Sequence, residues 1–329
     1  MHPWLDRIAA TRVLVIGDVM LDRYYFADVT RISPEGPVPV ARVKETKNTL
    51  GGAANVAHNL ARLGCRVSVA GISGEDENRQ ILDKKFNSLG ISHAGLLKIQ
   101  RPTTTKVRVI GGHQQMLRLD FEDSDRISRT VEQRLIAYLI RQLDAGLDAV
   151  ILSDYAKGVC SPALCQAVIQ ECKLRAMPLI VDPKGASWQK YKGAFLVTPN
   201  VKELSEASRA AVRNEDKNIV SLGSTLRQRF GFGSLMVTRS EKGLSLMTEG
   251  EPVHIPTYAR EVFDVSGAGD TVAAVMGAAL AAGLQMVAAA HLANLAAGVV
   301  VGKLGTYAIS AAELDAALAQ VQHPEEWEQ

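Results

Sequence analysis

The sequence predicts an α/β fold with a mainly parallel central sheet and crossover helices. Two observations carry that prediction. Short apolar runs alternate along the chain with segments of helical period, and each run closes on a polar or Gly/Pro-rich turn. Size is sufficient for a large core, since 47% of the 329 residues are hydrophobic and 22% are charged.

Taken in order, "RVLVIGD" (Arg12 to Asp18) reads as a buried strand, "AANVAHNLARLG" (Ala53 to Gly64) as a helix ended by Gly64, and "RVSVAGI" as the next strand. "DAVILSD" (Asp148 to Asp154), "PLIVDP" (Pro178 to Pro183), "AFLVTPN" (Ala194 to Asn200) and "SLMVTRS" (Ser234 to Ser240) are further strands. Ligands of open α/β sheets bind beyond the carboxyl ends of strands, so chemistry is expected in the turns that follow these runs. Residues 22–46 and 103–120 break the rhythm. There "PVPVARVKE" and "TTTKVRVIGGHQQMLRLD" alternate with period 2, and Gly111-Gly112 marks a hairpin turn. A sheet made of these two excursions is too small to fold alone and is expected to serve as a lid or a dimer surface. No internal repeat, low-complexity tract or linker divides the chain, so one domain over 1–329 is expected.

A formal charge of +2 gives no ground for a nucleic-acid or anionic-membrane partner. Cys65, Cys160, Cys165 and Cys172 form neither a CxxC spacing nor a zinc pattern, which suits a reducing cytoplasm. The N-terminus, "MHPWLDRIAATR", lacks the continuous apolar segment of a signal peptide. From Thr271 to Gly302 there is no acidic or basic residue, long enough to span a membrane. Its Ala, Gly and Val content, with Gln285, His291 and Asn294 inside and Gly283 near the middle, predicts two buried helices instead.

Glycine-rich stretches are the next candidates for chemistry. "GVVVGKL" (Gly298 to Leu304) has three residues rather than four between its glycines and Leu304 where a P-loop needs Ser or Thr. "GFGSLM" lacks the third glycine of a dinucleotide fingerprint, and the first strand ends in "GDVMLD", so an NAD-dependent oxidoreductase is a poor reading. In "GGAANVAHNLARLG", Gly51 and Gly52 open a helix with Asn55 one turn in, where paired glycines admit a ligand to the backbone and an amide can bond hydroxyls. In "FDVSGAGDTVAAVMGAAL", Gly267, Ala268 and Gly269 precede a strong helix former, so free N–H groups are expected at a helix start beside Asp270. An aspartate there also complements the helix dipole without any catalytic role.

Together "GGAANVAHNLARLG", with Gly74 ten residues after Gly64, and "DVSGAGDT", about two hundred residues on, resemble the paired signatures of the ribokinase-like sugar kinases across essentially the whole chain. Val275 departs from that pattern, which more often has Gly or Ala there. "GDVMLDRY", "SPEGPVPV", "SDYAKG", "VDPKG" and "TPNVKE" narrow the resemblance to the heptose-7-phosphate kinases of bacterial ADP-heptose synthesis. Some of those kinases are fused to a nucleotidyltransferase; this chain, ending at Gln329, is expected to lack it.

The resemblance implies a ribokinase-like three-layer α/β/α domain with a small β lid, and ATP and Mg²⁺ as co-substrate and cofactor. It implies that Gly267, Ala268, Gly269 and Asp270 form an anion hole for the transferring phosphoryl group, with Asp270 as base, a role for which a near-normal carboxylate pKa suffices. Asn200 and Glu203 are implied to order magnesium and phosphates through water, with Lys202 adding positive charge. Thr238, Ser240 and Gly243 are implied along the nucleotide, and Asn294 near the adenine. On the acceptor side Asp18 is expected to grip sugar hydroxyls opposite Gly51, Gly52 and Asn55, while Asp22 and Arg23 organise the lid. Lys157 and Lys184 end neighbouring strands, Lys106 and Arg108 share a face of the second ribbon, and this group is expected to hold a phosphate already on the substrate. The expected activity is phosphorylation of D-glycero-β-D-manno-heptose 7-phosphate at the anomeric hydroxyl by a cytoplasmic enzyme that dimerises through its lid. Another sugar or sugar-phosphate kinase, or a non-catalytic sugar-phosphate sensor, is the alternative.

Overall fold

A computed structural model describes residues 2–112, 114–259, 261–303 and 305–328. Leu304, which closes the failed P-loop match, lies outside them. Thirteen strands are formed among the described residues: β1 (Arg12–Gly17), β2 (Val19–Ile32), β3 (Pro39–Gly52), β4 (Arg66–Ser73), β5 (Ser92–Lys98), β6 (Thr105–Gly111), β7 (Gln114–Phe121), β8 (Ala149–Ser153), β9 (Leu179–Asp182), β10 (Leu196–Val197), β11 (Ser234–Thr238), β12 (Leu244–Met247) and β13 (Val253–Ile255). The helices are α1 (Pro3–Ala9), α2 (Ala53–Arg62), α3 (Glu77–Ser88), α4 (Arg129–Asp144), α5 (Pro162–Leu174), α6 (Val201–Ser208), α7 (Asp216–Phe230), α8 (Ala268–Ala281), α9 (Met286–Val300) and α10 (Ala311–Leu318).

Nine strands make the central sheet, in the order β13-β12-β11-β10-β9-β8-β1-β4-β5. It is parallel except where β12 and β13 add an antiparallel edge. The unbroken apolar run of β1 follows from burial on both faces. Val13 and Val15 pack into one core with residues of α2, α8 and α9, whereas Leu14 and Ile16 pack into the other with residues of α4, α5 and α7. From β1 the chain builds outward to β4 and β5 on one side, then returns to β8 and proceeds through β9, β10 and β11 on the other. The order therefore reverses between β1 and β8, and the crevice beyond their carboxyl ends is the place where such sheets bind ligands.

Both expected excursions are sheet. They form a four-stranded unit in the order β3-β2-β6-β7. The first begins earlier and ends later than residues 22–46, because β2 leaves β1 after Asp18 alone and β3 runs on to Gly52. β2 pairs antiparallel with β3 and parallel with β6, which sets Asp22 opposite Lys106 and Tyr24 opposite Arg108. The charge-free stretch forms α8 and α9, both buried. No helix among the described residues is long and apolar enough to cross a membrane.

Candidate active site

Gly267 caps α8 with φ 82°, a left-handed conformation that glycine adopts without penalty. A Cβ there would also stand 2.8 Å from Asn55 Nδ2, so a side chain is excluded by contact as well as by conformation. The Ala268 N–H is not free as expected, because it donates to Val265 O at 3.2 Å. The neighbouring N–H groups of Gly269 and Asp270 have no acceptor among the described residues and remain a positive pole at the start of a fourteen-residue helix.

Asp270 is buried, 3% exposed, in the first turn of that helix. Asn55 Nδ2 donates to its Oδ2 at 2.7 Å, and the Tyr155 hydroxyl donates to its Oδ1 at 2.6 Å. Burial pushes the Asp270 carboxyl up to about 6, against the pull of these two donors; the Asp22 charge adds to the rise and Lys106 opposes it. Asn55 Oδ1 is buried with no partner among the described residues, which leaves an acceptor for a ligand hydroxyl. Gly51 and Gly52 end β3 just before Asn55, and a Cβ on Gly51 would fall 2.3 Å from Asp22 Oδ2.

Asp18 does not face an open cavity. Its Oδ2 accepts the N–H groups of Tyr155 (2.8 Å) and Lys157 (3.0 Å), and its Oδ1 that of Val159 (3.1 Å). Burial and the charge of Asp154 hold its carboxyl above the usual range despite these donors. Instead of gripping a sugar, Asp18 pins the loop after β8. Asp22 is the carboxylate that lies against the paired glycines; Arg108 Nη1 holds its Oδ1 at 2.6 Å. Lys157 is paired with Glu122 at 2.7 Å, and Lys106 lies over the Tyr155 ring, 5.6 Å from its centre.

On the other side of Asp270 two cavities adjoin, sharing Asn200, Thr238 and Gly269. The larger, about 500 Å³, has Ser240, Gly243 and Asn294 in its wall and apolar sides from Leu244, Val265 and Val301. It suits a flat apolar ring with a polar tail. Asn294 Nδ2 is spent on Pro256 O at 2.7 Å, so only its other groups remain for a ligand. The smaller, about 190 Å³, is polar and lined by Asp154, Tyr155, Asp182, Lys184, Glu203 and Asp270 among others.

Asn200 and Glu203 cap α6 reciprocally: Asn200 Oδ1 accepts from the Glu203 N–H at 2.9 Å and Glu203 Oε2 from the Asn200 N–H at 3.0 Å. Glu203 Oε1 points the other way and pairs with Lys184 at 2.7 Å. Lys184, expected among the cations for a phosphate on the substrate, thus lines the polar cavity and is paired with Glu203. Lys202 is not brought to either cavity. It projects to solvent, 85% exposed, and reaches Glu206 one turn on, because adjacent residues of a helix face different ways.

Among the described residues no three His, Cys, Asp or Glu side chains are grouped to hold a metal alone. Asp182 nonetheless sits in a surplus of negative charge. Its carboxyl is pushed well above the usual range by burial and by Glu203 and Asp270. One or two carboxylates and a need for positive charge fit a Mg²⁺ whose remaining ligands are water and phosphate oxygens.

The profile of the pfkB family carbohydrate kinases matches residues 10–313, a span that includes both glycine-containing stretches joined by the Asn55–Asp270 hydrogen bond. The chain belongs to that family. This carbohydrate kinase is 47% identical over 318 residues to the bifunctional protein HldE of Geobacter sulfurreducens, covering 96% of this chain and 64% of that protein. It is 49% identical to the same-named protein of Magnetococcus marinus, covering 93% and 63%. The kinase thus spans less than two thirds of the length of these relatives. Its fold is ribokinase-like: an Arabidopsis thaliana ribokinase complexed with ribose and ATP superposes with TM-score 0.74 at 19% identity, over 95% of this chain and 100% of that one. Phosphofructokinase-2 from Escherichia coli gives 0.75 at 17%, over 94% and 98%.

Tyr155, Asp154 and Asp182 escaped the sequence reading of this kinase's site. A signal existed for the acids: "VIGD", "LSD" and "VD" each close a strand on aspartate beside the reversal of strand order. Tyr155 stands within the quoted "SDYAKG", but nothing local marked its role, because its partner is 115 positions away.

Proposed function

We propose that the chain transfers the γ-phosphoryl group of ATP to the anomeric hydroxyl of D-glycero-β-D-manno-heptose 7-phosphate, giving the 1,7-bisphosphate. The observation that carries the reading is Asp270, ionisable near neutrality and hydrogen-bonded on both oxygens, between the paired glycines and the polar cavity. The choice of a heptose phosphate rests on the resemblance of "GDVMLDRY", "SPEGPVPV" and "SDYAKG" to the kinases of that sugar.

In this reading the adenine occupies the larger cavity, and the γ-phosphoryl group meets the N–H groups of Gly269 and Asp270. Those donors are already oriented, so they stabilise charge as it shifts to the equatorial oxygens without reorganising. Asp22 and Asn55 Oδ1 hold the sugar, and Asp270 takes the proton from the attacking hydroxyl as its oxygen bonds to phosphorus and ADP leaves. Glu203 and Asn200 would hold Mg²⁺ through water, and the ion supplies charge neutralisation at the phosphates.

Of the four cations expected to bind the distal phosphate, Lys157, Lys184 and Arg108 are ion-paired with Glu122, Glu203 and Asp22. Lys106, held over Tyr155 instead, is the cation assigned to that phosphate. The outer face of the four-stranded sheet carries exposed Val43, Leu117, Leu119 and Phe121, and the reading closes it against a second copy. A cytoplasmic setting suits the ATP requirement and the four free, buried cysteines. The test is ADP release with Mg²⁺ and ATP across sugars and sugar phosphates: the heptose 7-phosphate is expected to be the preferred acceptor, and a preferred acceptor without phosphate would refute the reading.

A further inference from the structure

We propose that Tyr155 is the positioning residue of the base, its hydroxyl fixing Asp270 by donating to Oδ1 while Asn55 fixes Oδ2. The proposal rests on the reading of Asp270 as the base. With one donor on each oxygen the carboxylate cannot swing about its Cβ–Cγ bond, yet each oxygen keeps a lone pair for an incoming hydroxyl.

The loop that carries Tyr155 is shaped for this task. Asp18 binds the N–H groups of Tyr155, Lys157 and Val159, so the loop is pinned to the end of β1. Ala156 takes φ 57°, unusual for a residue with a side chain, and its N–H is held by Asp154 Oδ1 at 2.7 Å. From the lid Lys106 covers the ring. A turn anchored at three amides, strained at one residue and covered by a cation fixes where the hydroxyl points.

The same contact governs ionisation. The groups that face Asp270 are Asn55 from α2, Tyr155 from the loop after β8, Asp22 and Lys106 from the lid, and Asp182 from the end of β9. Asn55, Tyr155 and Lys106 favour the carboxylate; Asp22 disfavours it, and Asp182 would do so when ionised. Burial and the Asp270 charge hold the Tyr155 phenol well above its usual range, so it stays a donor at any working pH.

Two measurements test the proposal on the full chain. Proteins labelled with ¹³C-carboxyl aspartate are titrated by NMR, and the signal missing from Asp270→Asn assigns Asp270. In Tyr155→Phe, which keeps the ring beneath Lys106, its midpoint is expected to rise by about one pH unit, the effect of losing one charge-assisted hydrogen bond. Turnover with ATP and the preferred sugar phosphate is expected to fall most at low pH and to recover as pH rises, with KM for ATP unchanged. An unmoved Asp270 midpoint in Tyr155→Phe would overturn the proposal. So would a lowered KM for the sugar with undiminished kcat, because the hydroxyl would then be a stand-in that substrate displaces. Parent-like turnover by Asp270→Asn would instead remove the base itself, and the positioning role with it.

Discussion

Asn55 Nδ2 donates to Asp270 Oδ2 at 2.7 Å, a hydrogen bond between residues 215 positions apart. It joins the start of α2 to the start of α8, and Asn59, one turn further along α2, accepts from the Thr271 hydroxyl at 3.1 Å. Two separate glycine-containing stretches are thereby brought together, and Asp270 is held by the helix that directly follows the paired glycines.

The raised Asp270 carboxyl makes a prediction about stability as well as rate. Its ordinary value of 3.8 moves to about 6 in the folded chain, so folding favours the protonated form. The associated stability is present in full below the ordinary value and is lost as pH rises through about 6. Near pH 7 the parent therefore bears the cost of a buried charge, at most roughly 3 kcal/mol. Asp270→Asn is expected to melt at a higher temperature than the parent at pH 7, with the gap closing below pH 4 or so, while turnover falls by roughly 10²- to 10⁴-fold. Thermal melts across pH check the first part; a variant less stable than the parent at pH 7 would contradict it.

Asp18→Asn tests the loop anchor. An amide in place of the carboxylate turns an NH₂ group toward main-chain donors that now bond to oxygen. Leaving one or two buried N–H groups unmet is expected to cost about 3 kcal/mol. Limited proteolysis should then cut first within residues 155–159, and ATP affinity should hold. Protection equal to the parent's would mean that the loop does not depend on Asp18.

These two aspartates mark the limit of what the sequence reveals. Strands, the buried helix pair and the strands of the smaller sheet were legible because each is written in local period: the alternation of Lys106 and Arg108, the unbroken run of β1, the glycine between α8 and α9. Asp270 was legible because its glycines and helix are contiguous with it. Asp18 was misread as a sugar ligand because its partners are main-chain amides contributed by another strand end, and amides leave no mark on sequence. Lys202 was misread because one residue's shift on a helix turns a side chain by about a quarter of a turn, from site to solvent. The antiparallel edge of β12 and β13 went unforeseen because strands of four and three residues are too short to show a period.

A second copy over the lid makes a prediction about mass. Leu117, Leu119 and Phe121 lie on β7, the edge strand of a small sheet, where an open edge and apolar side chains invite association. The parent is expected to sediment as a dimer at assay concentrations, and Leu117→Glu as a monomer, since a buried unpaired carboxylate opposes pairing. A monomeric parent would remove the dimer and leave the lid.

The most direct test of the central claim compares D-glycero-β-D-manno-heptose 7-phosphate with the unphosphorylated heptose as acceptors, with ATP and Mg²⁺, and follows the product by ³¹P NMR. Lys106 gains a charge-assisted hydrogen bond only from the phosphorylated sugar, worth about 1.5–3 kcal/mol, so kcat/KM should favour it by at least about tenfold. The preference should shrink in Lys106→Ala. The product should carry a new phosphate at the anomeric carbon beside the one at C7. Equal efficiency on the two sugars, or a new phosphate on any other hydroxyl, would contradict the account.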